Sequence, residues 1–274
     1  MKIIDGRVRL RTKQLLKPWT TELKPYFKDY IHWYSMKDRL TPIPVEEQIK
    51  NAKNAGIDKM VVNGGKKDND HIMEIAEKHD EIIPIAAISI SEGIRPALKE
   101  IDRCFKKDVA AFHMSPFIVK LNSNDKKLYP IYGLCELLKK PIIVHGSLHY
   151  WRGAYMWHGH PQYLDEVAVD FPELKLIISH GGNGFGPPVL AVAQRHPNVY
   201  LEFSALRPKY IAPEFIQAAN TYLKKKCIFG TDYPLIEYKE QIELWKYALR
   251  EDNWEFFFYK NIKDAFYNDP IPYP

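Results

Sequence analysis

Residues 141–182, PIIVHGSLHYWRGAYMWHGHPQYLDEVAVDFPELKLIISHGG, contain one complete strand–helix–strand unit. A short β-branched run, PIIVHGS (141–147), leads through an aromatic segment into the amphipathic PQYLDEVAVDF (161–171). A second apolar run, LKLIISHGG (174–182), follows. Both runs are apolar at successive positions instead of alternating, the pattern of parallel strands covered on both faces. Each ends in a histidine followed by glycine, His145 and His180, so polar chemistry sits at the C-terminal end of a buried strand.

The same unit recurs on either side. Further runs are KIIDGRVRL (2–10), DKMVVNG (58–64), IIPIAAIS (82–89), DVAAFHMS (108–115), NVYLEFS (198–204) and KCIFGTDYP (226–234). Helical stretches such as PVEEQIKNAKNAG, DNDHIMEIAEKH and IRPALKEIDRCFKK separate them. Gly56 reads as a residue just past a helix end and Asp68 as an N-cap. Strand and helix thus alternate eight times, and right-handed crossovers close eight parallel strands most simply into an α/β fold of the (β/α)8 TIM-barrel type. A doubly wound open sheet would carry a Gly-rich phosphate turn after its first strand, and IIDGRVRL offers none. Without internal repeats, low-complexity stretches or linkers, residues 1–274 read as a single domain.

The chain has 274 residues, 46% hydrophobic and 27% charged, with 39 Lys and Arg against 34 Asp and Glu for a net charge of +5. The basic residues are scattered over helix faces and form no arm, so nucleic acid is not an expected partner. No run of about 18 apolar residues and no apolar leader occur, so no membrane association is expected. Three cysteines without paired spacing, Cys104, Cys135 and Cys227, fit reduced thiols. Together these features set the expectation of a cytoplasmic protein.

In a barrel of this type the chemistry sits where the strands end. Strand one ends in Arg7 and Arg9, strand four in His113, strand five in His145 and strand six in His180. Strand seven carries Glu202 and Ser204, and strand eight ends in Asp232. A lone histidine in an apolar strand is usually a hydrogen-bonded core residue. So many polar ends converging on one mouth read as a shared site.

IIDGRVRL, PIIVHGS, PELKLIISHGG, NVYLEFS and IFGTDYP resemble the amidohydrolase superfamily, in its amidohydrolase-related branch with aminocarboxymuconate-semialdehyde decarboxylase. The resemblance runs in order along nearly the whole chain. It implies a metal-dependent-hydrolase-like barrel, and a first strand of the pattern D-x-H-x-H whose two histidines bind a divalent metal. A strand-five histidine and the strand-eight aspartate complete that site, with the strand-six histidine beside it. His145, His180 and Asp232 match. Arg7 and Arg9 stand where both first-strand ligands belong, so HxH has become RxR.

Arginine stays protonated and has no lone pair to give a metal. A unit charge ~5 Å from a dication costs roughly 6 kcal/mol at an effective dielectric of ~20. The expectation is therefore an enzyme without a metal cofactor. A zinc-type divalent ion on His145, His180 and Asp232 is the alternative ligand set. Two cations in a water-poor mouth suit carboxylate oxygens or a developing oxyanion. A metal-independent lactonase branch of the superfamily, acting on dicarboxylated pyrones, is similar in this respect.

The expected activity is hydrolysis of a lactone, ester or amide of a small carboxylated substrate, with decarboxylation as the alternative. Asp232 is the expected base, with His180 and His145 orienting and shuttling protons. Arg7, Arg9, His113, His149, Trp151, Arg152 and Glu202 are expected to contact substrate. A catalytically inactive barrel binding an anionic ligand, its arginines neutralising Asp232 and Glu202, is the competing reading. The resemblance also implies a homodimer. Two long loops complete the picture. Residues 11–43 carry Trp19, Tyr26, Phe27, Tyr30, Trp33 and Tyr34, and the segment after strand five carries His149 to His160. Such loops at this face are expected to cover the mouth and form its aromatic walls.

Overall fold

The structure, a computed structural model, describes residues 1–21 and 25–267. The side chains of Tyr26, Phe27 and Tyr30 in the expected cover lie outside the described residues. Eight parallel strands follow one another around a barrel in sequence order. They are β1 (Ile4–Val8), β2 (Lys59–Val62), β3 (Ile82–Ile88), β4 (Ala111–Met114), β5 (Ile142–Val144), β6 (Leu176–Ser179), β7 (Val199–Glu202) and β8 (Cys227–Ile228). Backbone bonds from Gly6 N to Phe229 O (2.9 Å), Asp232 N to Arg7 O (2.9 Å) and Arg9 N to Tyr233 O (2.8 Å) close β8 onto β1. The fold is the expected (β/α)8 TIM barrel.

Helices α1 (Pro25–Trp33) and α2 (Val45–Asn54) follow β1, and α3 (Asn69–Ala76) follows β2. Then α4 (Ile94–Phe105), α5 (Tyr129–Leu137), α6 (Tyr163–Asp170), α7 (Pro188–Arg195) and α8 (Pro213–Asn220) each follow one strand. Helices α9 (Tyr238–Ala248) and α10 (Asn261–Tyr267) complete the order. Gly56 ends α2 with a φ of +93°, the left-handed conformation that glycine adopts without a Cβ clash. Asp68 departs from its expected role: its carboxylate accepts from Gly65 N at 2.8 Å, closing the turn before α3, and makes no cap bond to that helix.

Strand alternation divides the core in two. Val61, Ile85, Ala111, Ile143, Ile177, Tyr200 and Ile228 fill the barrel interior, and Ile262, Ala265 and Phe266 of α10 plug its N-terminal end. A larger layer, with Val62, Phe112, Val144 and Leu201 among its members, joins strands to helices. His113, His145 and Glu202 each lie two residues beyond an interior residue, so period-two alternation aims them into the barrel just above its apolar filling. All three cysteines are buried and unbridged. Among the described residues, no helix is long and apolar enough to cross a membrane.

Candidate active site

Arg7 stands at the centre of the C-terminal mouth, 6% exposed. Its Nε lies 3.3 Å from Asp232 Oδ1, and its Nη2 donates to His113 Nε2 at 3.4 Å. The Asn63 amide, in the orientation that satisfies both its groups, accepts from Arg7 Nη2 at 3.2 Å and donates to Val8 O at 3.1 Å. A guanidinium can only donate, so His113 presents its Nε2 lone pair to Arg7 and carries its proton on Nδ1. Burial, then the charges of Arg7 and Arg9, holds His113 well below the usual imidazole range and therefore neutral.

Asp5 sits beneath this group, accepting from Thr231 N (3.0 Å), Thr231 Oγ1 (2.6 Å) and Arg7 N (3.1 Å). These bonds tie β1 to the segment after β8 and fix where Arg7 and Asp232 leave the barrel wall. Burial nonetheless pushes the Asp5 carboxyl up to about 7.

Arg9 is placed differently. Its guanidinium lies 5.8 Å from the Trp19 ring and makes no hydrogen bond or ion pair among the described residues. Burial lowers its pKa, opposed by the charge of Asp232. Arg7 is committed to neighbours, whereas the Arg9 guanidinium donors have no partner among the described residues.

Across the mouth, His145 and His180 meet edge to face with ring centroids 5.1 Å apart. His145 Nδ1 is 3.4 Å from Ser147 Oγ, and burial holds this ring well below the usual range. His180 Nδ1 lies 3.1 Å from Ser204 O and 3.0 Å from Ser204 Oγ. A carbonyl oxygen only accepts, so the His180 proton is on Nδ1 and the Nε2 lone pair is unused. Burial, then Arg7, brings this imidazole down to about 4.

Behind His180, Ser204 Oγ donates to Glu202 Oε2 at 2.9 Å, and Ser204 N donates to Glu202 Oε1. Glu202 is 1% exposed, in space kept by Gly230, where a Cβ would stand 2.4 Å from Oε1. The ion pair between Glu202 and the arginines that the competing inactive-barrel reading would have is not formed among the described residues. Glu202 instead backs Ser204, and burial pushes its carboxyl up to about 7.

That raised value fixes the sign of a pH effect. A carboxyl that ionises at about 7 when folded and at 4.5 in its reference state stabilises the fold fully below 4.5 and loses that contribution as pH rises to 7. Glu202→Gln removes this term. Relative to wild type, the variant is expected to gain on the order of 3 kcal/mol between those limits. Urea midpoints across that range test it, and a pH-independent difference would contradict it.

The two long loops meet above these residues. Asp29 of α1 pairs with Arg152 at 3.1 Å, and Trp33 packs on Tyr150 with centroids 4.9 Å apart. Because β1 and β5 stand opposite in an eight-strand ring, a contact between their loops spans the mouth. Trp19, Met36, Leu235 and Ile236 form a small apolar cluster under this cover, and Tyr34 donates to Ala205 O at 3.2 Å.

Arg152 is 85% exposed and joins the rim instead of entering the mouth as an inward cation. His149 stacks on Phe117 at 4.1 Å and donates from Nε2 to Tyr155 O at 3.0 Å, and Trp151 lies 6.4 Å from Phe117. Phe117 thus stands between His149 and His145, which it meets at 4.8 Å. Asn63, Asp5 and Thr231 belong to the site although sequence reasoning passed over them. Asn63 ends an apolar strand as His113 does, and the same rule would have found it.

The amidohydrolase family profile matches residues 34–267. No curated protein matches the chain by sequence. Among solved structures, an uncharacterised TIM-barrel protein from Bordetella bronchiseptica is similar, with a TM-score of 0.83 at 22% identity over 97% of this chain and 98% of that one. A 5-carboxyvanillate decarboxylase from Sphingomonas paucimobilis gives a TM-score of 0.70 at 11% identity, over 97% and 98% of the two chains. A dihydroxybenzoic acid decarboxylase from Polaromonas, with bound manganese and the inhibitor 2-nitroresorcinol, gives 0.68 at 16% identity, over 97% and 96%. At these identities the likeness of the structures speaks for the barrel alone. The family profile, spanning most of the chain, says more: the chain belongs to the amidohydrolase family.

Proposed function

We propose that this amidohydrolase-family enzyme works without a divalent metal and hydrolyses a lactone, ester or amide in a small carboxylated substrate. The observation that carries this reading is the Arg7 guanidinium, held between Asp232, His113 and Asn63. A manganese-like ion does not fit beside it. Arg7 has no lone pair, repels a dication, and already uses the Asp232 carboxylate such an ion would need.

A fixed cation in a buried mouth stabilises negative charge that develops during reaction. Attack of water on an ester or lactone carbonyl creates such charge on the carbonyl oxygen. Asp232 accepts the proton of the attacking water, and His180 Nε2 is the second group able to carry a proton between water and leaving group. Arg9, with its donors unpartnered among the described residues and Trp19 at its side, receives the substrate carboxylate and an attached flat ring. Glu202, Ser204 and Asn63 support this arrangement from behind.

Decarboxylation is the second reading, favoured by the carboxylated aromatic substrates named for the structural relatives. Electrostatics favours hydrolysis. Departure of neutral CO2 removes charge from the carboxylate, so a guanidinium gripping that group stabilises the ground state most. The test is a panel of aryl esters, lactones and amides bearing a carboxylate, alongside hydroxybenzoates, offered to chelator-treated protein. Acid release from an ester, lactone or amide is the expected result. CO2 release from the hydroxybenzoates with no hydrolysis would transfer the assignment to the second reading.

A further inference from the structure

We infer that Ser204 and Glu202 act together as positioning residues, holding the His180 proton on Nδ1 and presenting the Nε2 lone pair to the mouth. This rests on the reading of His180 as a proton-carrying group. The chain of bonds has one consistent direction. Ser204 O can only accept, so His180 Nδ1 donates to it at 3.1 Å, and the Ser204 hydroxyl oxygen shares the same proton at 3.0 Å. The hydroxyl hydrogen is then directed to Glu202 Oε2 at 2.9 Å, and Ser204 N–H to Glu202 Oε1.

Two donors from one residue converge on one carboxylate. That fixes both the backbone and the side chain of Ser204 as acceptors for the imidazole. Glu202 and Ser204 are fully buried, and the absence of a side chain at Gly230 leaves the room Glu202 Oε1 occupies. No basic group bonds Glu202 among the described residues, so its hydrogen-bonded commitment is to Ser204. Without the hydroxyl and Glu202, His180 would be held on Nδ1 by the Ser204 carbonyl alone and could place its proton on Nε2 in part of the molecules. It would then face the mouth as a donor, unable to accept a proton there.

The experiment is two-bond 1H–15N NMR on histidine-labelled protein, with the His180 signals identified by their loss in His180→Gln. In the wild type, Nδ1 is expected to be the protonated nitrogen and Nε2 the bare one. Ser204→Ala, which keeps the backbone carbonyl acceptor but loses the hydroxyl and its tie to Glu202, is expected to populate the Nε2–H form measurably, Glu202→Gln to do so to a lesser degree, and Ser204→Thr to restore the wild-type pattern. On a substrate from the panel above, Ser204→Ala should lower kcat by about tenfold or more with KM little changed, given the ~10²–10⁴-fold usual for acid–base groups.

A wild-type Nε2–H tautomer, or an unchanged tautomer in both Ser204→Ala and Glu202→Gln, would overturn the inference. Should Glu202→Gln fail to fold, the wild-type and Ser204→Ala spectra decide alone. The tautomer is read without turnover, so the two readings fail separately. If the spectra behave as expected while His180→Gln turns over as fast as wild type, the acid–base assignment falls and the positioning chain stands.

Discussion

Arg7→Met is expected to destabilise the protein by roughly 3–5 kcal/mol, the cost of breaking a buried ion pair by removing one partner. The substitution keeps the length of the stem while removing the charge. Asp232, with its side chain 14% exposed, loses the cation 3.3 Å away, and His113 Nε2 and the Asn63 amide lose their donor. Adding Asp232→Asn should return part of the loss, because a neutral amide costs less to leave unpaired than a carboxylate. The coupling should fall within ~0.5–3 kcal/mol, the usual range for residues in direct contact. Urea unfolding of the two single variants and the double variant measures it. Additive effects would mean that Arg7 and Asp232 do not act as a unit.

Asp232→Asn should leave the barrel folded, since Asp232 N still donates to Arg7 O at 2.9 Å. Turnover of the substrate identified in the panel should fall by ~10²–10⁴-fold, as expected when a general base is removed. The measurement is kcat with substrate saturating, beside a circular dichroism spectrum that reports the fold. Retained turnover would move the base to His180, whose Nε2 lone pair faces the same space.

The barrel was legible because parallel strands buried on both faces must be apolar almost throughout, so each polar residue at a strand end stands out. His113, His145 and Glu202 followed from that rule and from period-two alternation. The aim of His180 and Asp232 did not. Both take left-handed backbone, with φ of +55° and +54°. That conformation typically costs ~1–2 kcal/mol per non-glycine residue, and nothing local marks it beyond the neighbouring Gly181.

Arg7 and Arg9 look equivalent in the pattern RVR, yet one is engaged by Asp232, His113 and Asn63 while the other faces Trp19. Partners from separate strands and a long loop made that difference, and no sequence spacing encodes it. Arg152 shows the same limit from the other side. On a loop no alternation rule fixes direction, and its long side chain went to Asp29 across the mouth.

The proposed function stands on the Arg7 guanidinium taking the place of a divalent ion. Metal analysis of the purified protein, paired with the panel assay before and after exhaustive chelation, tests this most directly. The predicted result is no stoichiometric zinc, manganese or iron, with hydrolysis unchanged by chelator and not raised by added metal. About one equivalent of tightly held metal, removed together with activity and restored with it, would contradict the account and return His145, His180 and Asp232 to the role of ligands.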